Sequence, residues 1–189
     1  MVVGKNAPCY GEAPAIVLIN PKFPHNVGTI QRACSCFGVE QLWWTGDRVR
    51  LDPGKGERLP REERMRGYKD VQLVNFDRPL DQFPKGTVPV AIEVRPNSER
   101  LTDFEHPEEA VYVFGPEDGT LPKHILSLCH RFIVIPTRHC LNLAAAANIV
   151  LYDRMVKTGQ SYDIGSIEQR AWAEPDSMFI EGVEGRGKR

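Results

Sequence analysis

The chain has 189 residues, 41% of them hydrophobic and 26% charged, the proportions of one globular domain large enough to bury its own core. A net charge of −1 gives no overall basic footprint for nucleic acid, so any such contact has to come from a local patch. The longest apolar run, 141–152, is broken by Asn142 and Asn148 and is too short to span a membrane.

Residues 1–14 lack the apolar core of an export signal and read as a flexible lead-in, which makes the cytoplasm the expected compartment. Residues 15–19 form a short apolar run closed by Asn20-Pro21, the pattern of a buried strand. Asn26 then suits a helix N-cap, with Val27, Ile30, Cys34 and Phe37 on one helical stripe and Gly38 as the stop. Residues 41–45 predict a second strand. From Arg48 to Lys69 eight basic residues stand against four acidic ones. That surplus fits a phosphate backbone as well as it fits a solvated face, and a short helix is expected near 61–66.

Strands are predicted at 71–75, 88–94 and 109–114. Pro122 suits the first turn of a helix reaching about 129, and 132–135 is a last strand. Residues 142–157 predict a long helix, apolar nearly all round through Leu151, to be covered by the domain or by a partner subunit. From 159 to 189 the chain becomes a polar, partly disordered tail.

Alternating strands and helices imply an α/β fold with a parallel sheet flanked by helices. Ligands of such sheets bind in loops beyond the carboxyl ends of the strands, here 20–26, 95–99, 115–121 and 136–141. Commoner nucleotide sites are missing. No GxGxxG follows a strand, and Gly54-Lys55-Gly56 lacks both the hydroxyl residue and the preceding glycine of a P-loop. No serine sits in a GxSxG elbow. The five cysteines (Cys9, Cys34, Cys36, Cys129, Cys140) show neither CxxC nor the paired spacing of a zinc site, so reduced thiols and no metal are expected.

Three strand-end loops remain. The first carries Asn26, Gly28 and Arg32 as N-x-G-x-x-x-R. The second carries Phe114, Gly115 and Glu117 as F-G-x-E. The third carries Ile135-Pro136, then Leu141-Asn142 and the small-residue helix start Ala144–Ala147. In this order they resemble the three motifs of the SpoU/TrmH-like branch of the SPOUT RNA methyltransferases, over about 15–155. The basic stretch around Arg64-Met65-Arg66 is similar to an arginine-rich segment of compact members.

The resemblance implies a C-terminal deep trefoil knot at about 110–157, a feature that periodicity could never suggest. It implies a bound S-adenosylmethionine held by Ile92, Gly115, Glu117, Ile135, Pro136, Cys140, Leu141 and Leu143. Cys140 stands where the family commonly has serine, so a hydroxyl contact to the cofactor is weakened. Arg32 is implied as the catalytic group, with Asn26, Glu117 and Asn142 orienting it and the ribose whose 2′-hydroxyl is methylated. Arg48, Arg58, Arg64 and Arg66 are the candidate RNA contacts. A homodimer acting on RNA is expected, tRNA ahead of rRNA, since compact members without a separate RNA-binding domain often act on tRNA. The rival readings are a catalytically inactive RNA-binding module of the same fold and an unrelated α/β enzyme of small metabolites.

Overall fold

The computed structural model describes residues 2–3, 10–49, 70–163 and 165, with side chains from residue 10 onward. The predicted helix near 61–66 and the tail beyond 165 lie outside the described residues. By contacts the chain divides into 1–158 and 159–189.

The first unit is built on an eight-stranded sheet in which every pairing is parallel. In chain order its strands are β1 (Val2–Val3), β2 (Ala15–Leu18), β3 (Gln41–Trp44), β4 (Gln72–Asn75), β5 (Val88–Ile92), β6 (Glu99–Arg100), β7 (Ala110–Phe114) and β8 (Arg131–Val134). Across the sheet they lie β1-β4-β3-β2-β7-β5-β8-β6. Among the described residues the α-helices of this unit are α1 (Pro24–Cys36), α2 (Lys123–Leu126) and α3 (Leu143–Lys157).

Continuous apolar strands follow from burial on both faces. In β2, Ile16 and Leu18 join one core with Ile30 of α1 and Val150 of α3. Val17 turns to the opposite core with Val113 and Ile125. Trp43 sits on that second side, edge-on to Phe76, and its indole N–H donates to Gln41 at 2.9 Å.

The structure departs from the sequence reading at α1. Asn26 is not the cap: the helix starts at Pro24, and Phe23 holds the cap position without a side-chain hydrogen bond. A proline ring already has helical φ and no N–H to leave orphaned, so Pro24 sets the start three residues early, with the cap at Phe23 rather than Asn26. Gly38 does end the helix, with φ of 68°. The helix expected at 122–129 shortens to α2, and β5 stops at Ile92. The two-residue strands β1 and β6 were not expected, and β1 falls in the stretch read as a flexible lead-in.

A buried polar network fixes the last turn of α3. Arg154, 9% exposed, donates to the carbonyls of Pro107 at 2.6 Å and Glu108 at 2.9 Å. Lys157 donates to the carbonyls of Leu101 and Phe104 and pairs with Asp153 at 2.8 Å. Asp153 also accepts from Nε2 of His106 at 2.8 Å. A carboxylate only accepts, so Nε2 carries the proton, and Nδ1 accepts a hydrogen bond from the Tyr112 hydroxyl at 2.6 Å. Burial lowers the His106 pKa against the pull of Asp153, and burial pushes the Tyr112 phenol up to about 12.

Candidate active site

The carboxyl ends of β2, β7 and β8 lead into three loops, and their side chains meet in one hydrogen-bond relay. The Glu117 carboxylate accepts from the backbone N–H of Lys22 at 2.7 Å and of Phe23 at 3.2 Å. It also accepts from Nδ2 of Asn26 at 2.7 Å. Glu117 thus supplies the anionic group that the first turn of α1 lacks, from 91 residues away. Asn26 Oδ1 accepts from Nδ2 of Asn142 at 3.1 Å. The Asn142 oxygen caps α3 by accepting from the N–H of Ala144 at 2.9 Å and Ala145 at 3.3 Å. Burial opposes ionisation of Glu117, yet the donors from Asn26, Lys22 and Phe23 outweigh it and hold its carboxyl below the usual value.

Beside the relay lies a cavity of about 480 Å³. Ile92 of β5, Gly115 and Glu117 line it from one side, and Ile135 and Pro136 follow β8 into it. Cys140, Leu141 and Leu143 close the third side. The backbone packs closely at Gly115: a Cβ there would stand 3.3 Å from the Leu121 nitrogen, so a side chain fits only if that wall shifts by a few tenths of an ångström. The eight positions singled out as cofactor contacts therefore share one cavity, and three of the four singled out for catalysis share the relay. Arg32, the fourth, lies on the exposed side of α1, outside the cavity lining, and its side chain makes no hydrogen bond or ion pair among the described residues.

Arg48, expected among the RNA contacts, has its guanidinium committed to Asp118 in a two-pronged pair of 3.0 and 2.7 Å. Lys22 joins the same carboxylate at 3.3 Å. The Arg48 hydrogen bonds hold the Asp118 carboxyl down at about 2. Arg58, Arg64 and Arg66 lie outside the described residues. Asp118 and Glu93 were missed by the sequence reading. Glu93 lines the cavity, and its only signal was its place directly after Ile92 at a strand end. Among the described residues, no group of three or more His, Cys, Asp or Glu could hold a metal, and no helix is long and apolar enough to cross a membrane.

Residues 13–152 match the SpoU rRNA Methylase family, well over half of the chain. The chain belongs to that family. Among curated relatives, a tRNA (cytidine(34)-2'-O)-methyltransferase of Beijerinckia indica is 26% identical over 76% of the chain and 91% of its own length. An uncharacterized tRNA/rRNA methyltransferase of Synechocystis is also 26% identical, and there the chain spans about half (51%) of the relative's length. Among solved structures, the A. aeolicus TrmH/SpoU tRNA modifying enzyme superposes with a TM-score of 0.67 at 22% identity, covering 88% of this chain and 82% of that one. The methyltransferase AviRb of Streptomyces viridochromogenes, solved with AdoMet, gives 0.64 at 19% identity, covering 82% and 64%. At these identities the structural likeness is one of fold.

Proposed function

We propose that this protein is an S-adenosylmethionine-dependent RNA methyltransferase acting on a ribose 2′-hydroxyl, with tRNA as the favoured substrate. The observation that carries this reading is the convergence of three motif loops on one cavity and one relay. The cavity lies within the roughly 300–1,000 Å³ of small-molecule sites, and its mix of aliphatic side chains with polar ones such as Glu93, Glu117 and Arg138 suits an adenosyl ligand that carries both apolar and charged parts. Ile92, Ile135, Leu141 and Leu143 would grip the apolar faces, and Cys140 keeps only its backbone and a weak thiol contact. When bound, the donor supplies an electrophilic methyl on a sulfonium centre. The knot at about 110–157 and a cytoplasmic setting belong to the same reading.

In this reading Arg32, exposed on α1 and outside the cavity lining, meets the phosphate of a bound RNA and stabilises charge developing on the ribose oxygen. A guanidinium gives up its proton too reluctantly to serve as an ordinary base. Asn26, Glu117 and Asn142 set the entry of α1 and so the direction in which Arg32 projects. A homodimer is part of the proposal, because α3 leaves Ile149, Tyr152 and Val156 exposed at 38%, 57% and 56%, one apolar stripe opposite the face it buries in the core.

The test is methyl transfer from labelled S-adenosylmethionine to tRNA and to rRNA, with the product nucleoside identified by mass spectrometry. A 2′-O-methylnucleoside is expected. Arg32→Ala should retain cofactor affinity and lose transfer by about a hundredfold or more. A wild-type chain that binds the cofactor yet methylates neither RNA would sink the proposal, and full turnover by Arg32→Ala would remove that residue from it.

A further inference from the structure

The acids at this end of the sheet are nearly all answered by donors. Asp118 pairs with Arg48 and Lys22, Glu99 pairs with Arg131 at 2.6 Å, and Glu117 is saturated by the relay. Glu93 differs. Its backbone is pinned on both sides: the N–H donates to Ile133 of β8 at 3.0 Å, and the carbonyl accepts from the Ser98 hydroxyl at 2.7 Å. Its side chain lines the cavity, accepting from the N–H of Leu121 at 2.9 Å and of Val94 at 3.3 Å. Like Glu117 it has only neutral donors, but two rather than three, one of them the long bond from its own neighbour Val94, and it forms no ion pair among the described residues. Arg138 and His139 face the same cavity from the 136–141 loop without pairing with it.

A carboxylate that lines a partly apolar cavity and pairs with no cation favours a ligand that brings positive charge. We propose that Glu93 is the charge selector of the cavity: it favours the cationic sulfonium donor over the neutral thioether that remains after transfer. Its bond to Leu121 meanwhile holds the 115–121 wall in place. The inference rests on the methyltransferase reading. In that reaction the carbon–sulfur bond breaks with its electron pair left on sulfur. The ribose oxygen forms the new bond to carbon, and its proton passes to solvent. The ligand thereby loses one positive charge beside Glu93, which weakens its hold and helps the product leave.

Calorimetric titration of the full chain with S-adenosylmethionine and with S-adenosylhomocysteine tests this without turnover. Wild type should prefer the sulfonium. Glu93→Gln keeps an acceptor for Leu121 and should lose about tenfold in affinity for the sulfonium while the thioether changes by less than about twofold. Glu93→Asp, which keeps the charge, should keep the preference. Equal loss for both ligands in Glu93→Gln would assign Glu93 to wall structure or to the ammonium that both ligands share, and overturn the proposal. So would no change for either. A wild-type chain that binds neither compound removes the methyltransferase reading itself.

Discussion

The two ends of α3 are held by opposite means. At its start, neutral amides do the work: Asn142 caps the helix, touches Asn26 and through it Glu117, beside an open cavity. At its end, charged groups are sunk among carbonyls, with Arg154 and Lys157 in the last turn where the helix dipole favours cations. Rigid anchoring is concentrated far from the cavity, and the end that carries the candidate chemistry is left lightly tied. Stability and activity should therefore separate along a single helix.

The largest effect expected is on stability at the buried end. Arg154→Met leaves the Pro107 and Glu108 carbonyls without their charged donor and should cost about 3 kcal/mol, lowering Tm by roughly 6–12 °C. Cofactor affinity of the folded fraction should change little. Denaturant titration with parallel calorimetry checks both. Asn142→Ala should reverse the pattern. Loss of the cap costs only about 1 kcal/mol, while methyl transfer falls by about a hundredfold because the relay no longer sets α1. Equal losses of stability and turnover in both variants would erase the contrast.

The smallest effect sharpens it through pH. The folded-state pKa of His106 lies below its ordinary 6.5, so its contribution is fully present above that value and fades as pH falls through the lower folded value. Protonation would set a second N–H against the Tyr112 hydroxyl and add charge near Arg154 and Lys157. Glu117, also depressed, contributes fully above its ordinary 4.5, and that contribution is lost only at more acid pH. Melting curves from pH 7.5 downward should show a first decline that His106→Gln flattens. They should show a second, below the ordinary glutamate range, that Glu117→Gln removes.

Strands buried on both faces were legible because a continuous apolar run between turn residues has few other uses; 15–19 and 109–114 are the clear cases. The pairs Val2–Val3 and Glu99–Arg100 were not, since two residues become a strand only through the neighbour they pair with. Asn26 was misread because an asparagine before a helical stripe looks the same whether it caps the helix or bonds a distant carboxylate. The Arg48–Asp118 pair joins residues 70 apart, and no local pattern announces it. The cavity positions came from the order of three motifs, and periodicity alone would have left them as turns.

The order of the sheet has a consequence for the ribosome. Strand β7 lies between β2 and β5, both of which are synthesised before it. Until Phe114 has left the exit tunnel, the nascent chain presents two fully apolar strand edges with nothing between them, the condition under which a growing polypeptide is most prone to pair with its neighbours. Translation speed and chaperone supply through that window should govern how much of this protein is recovered in native form.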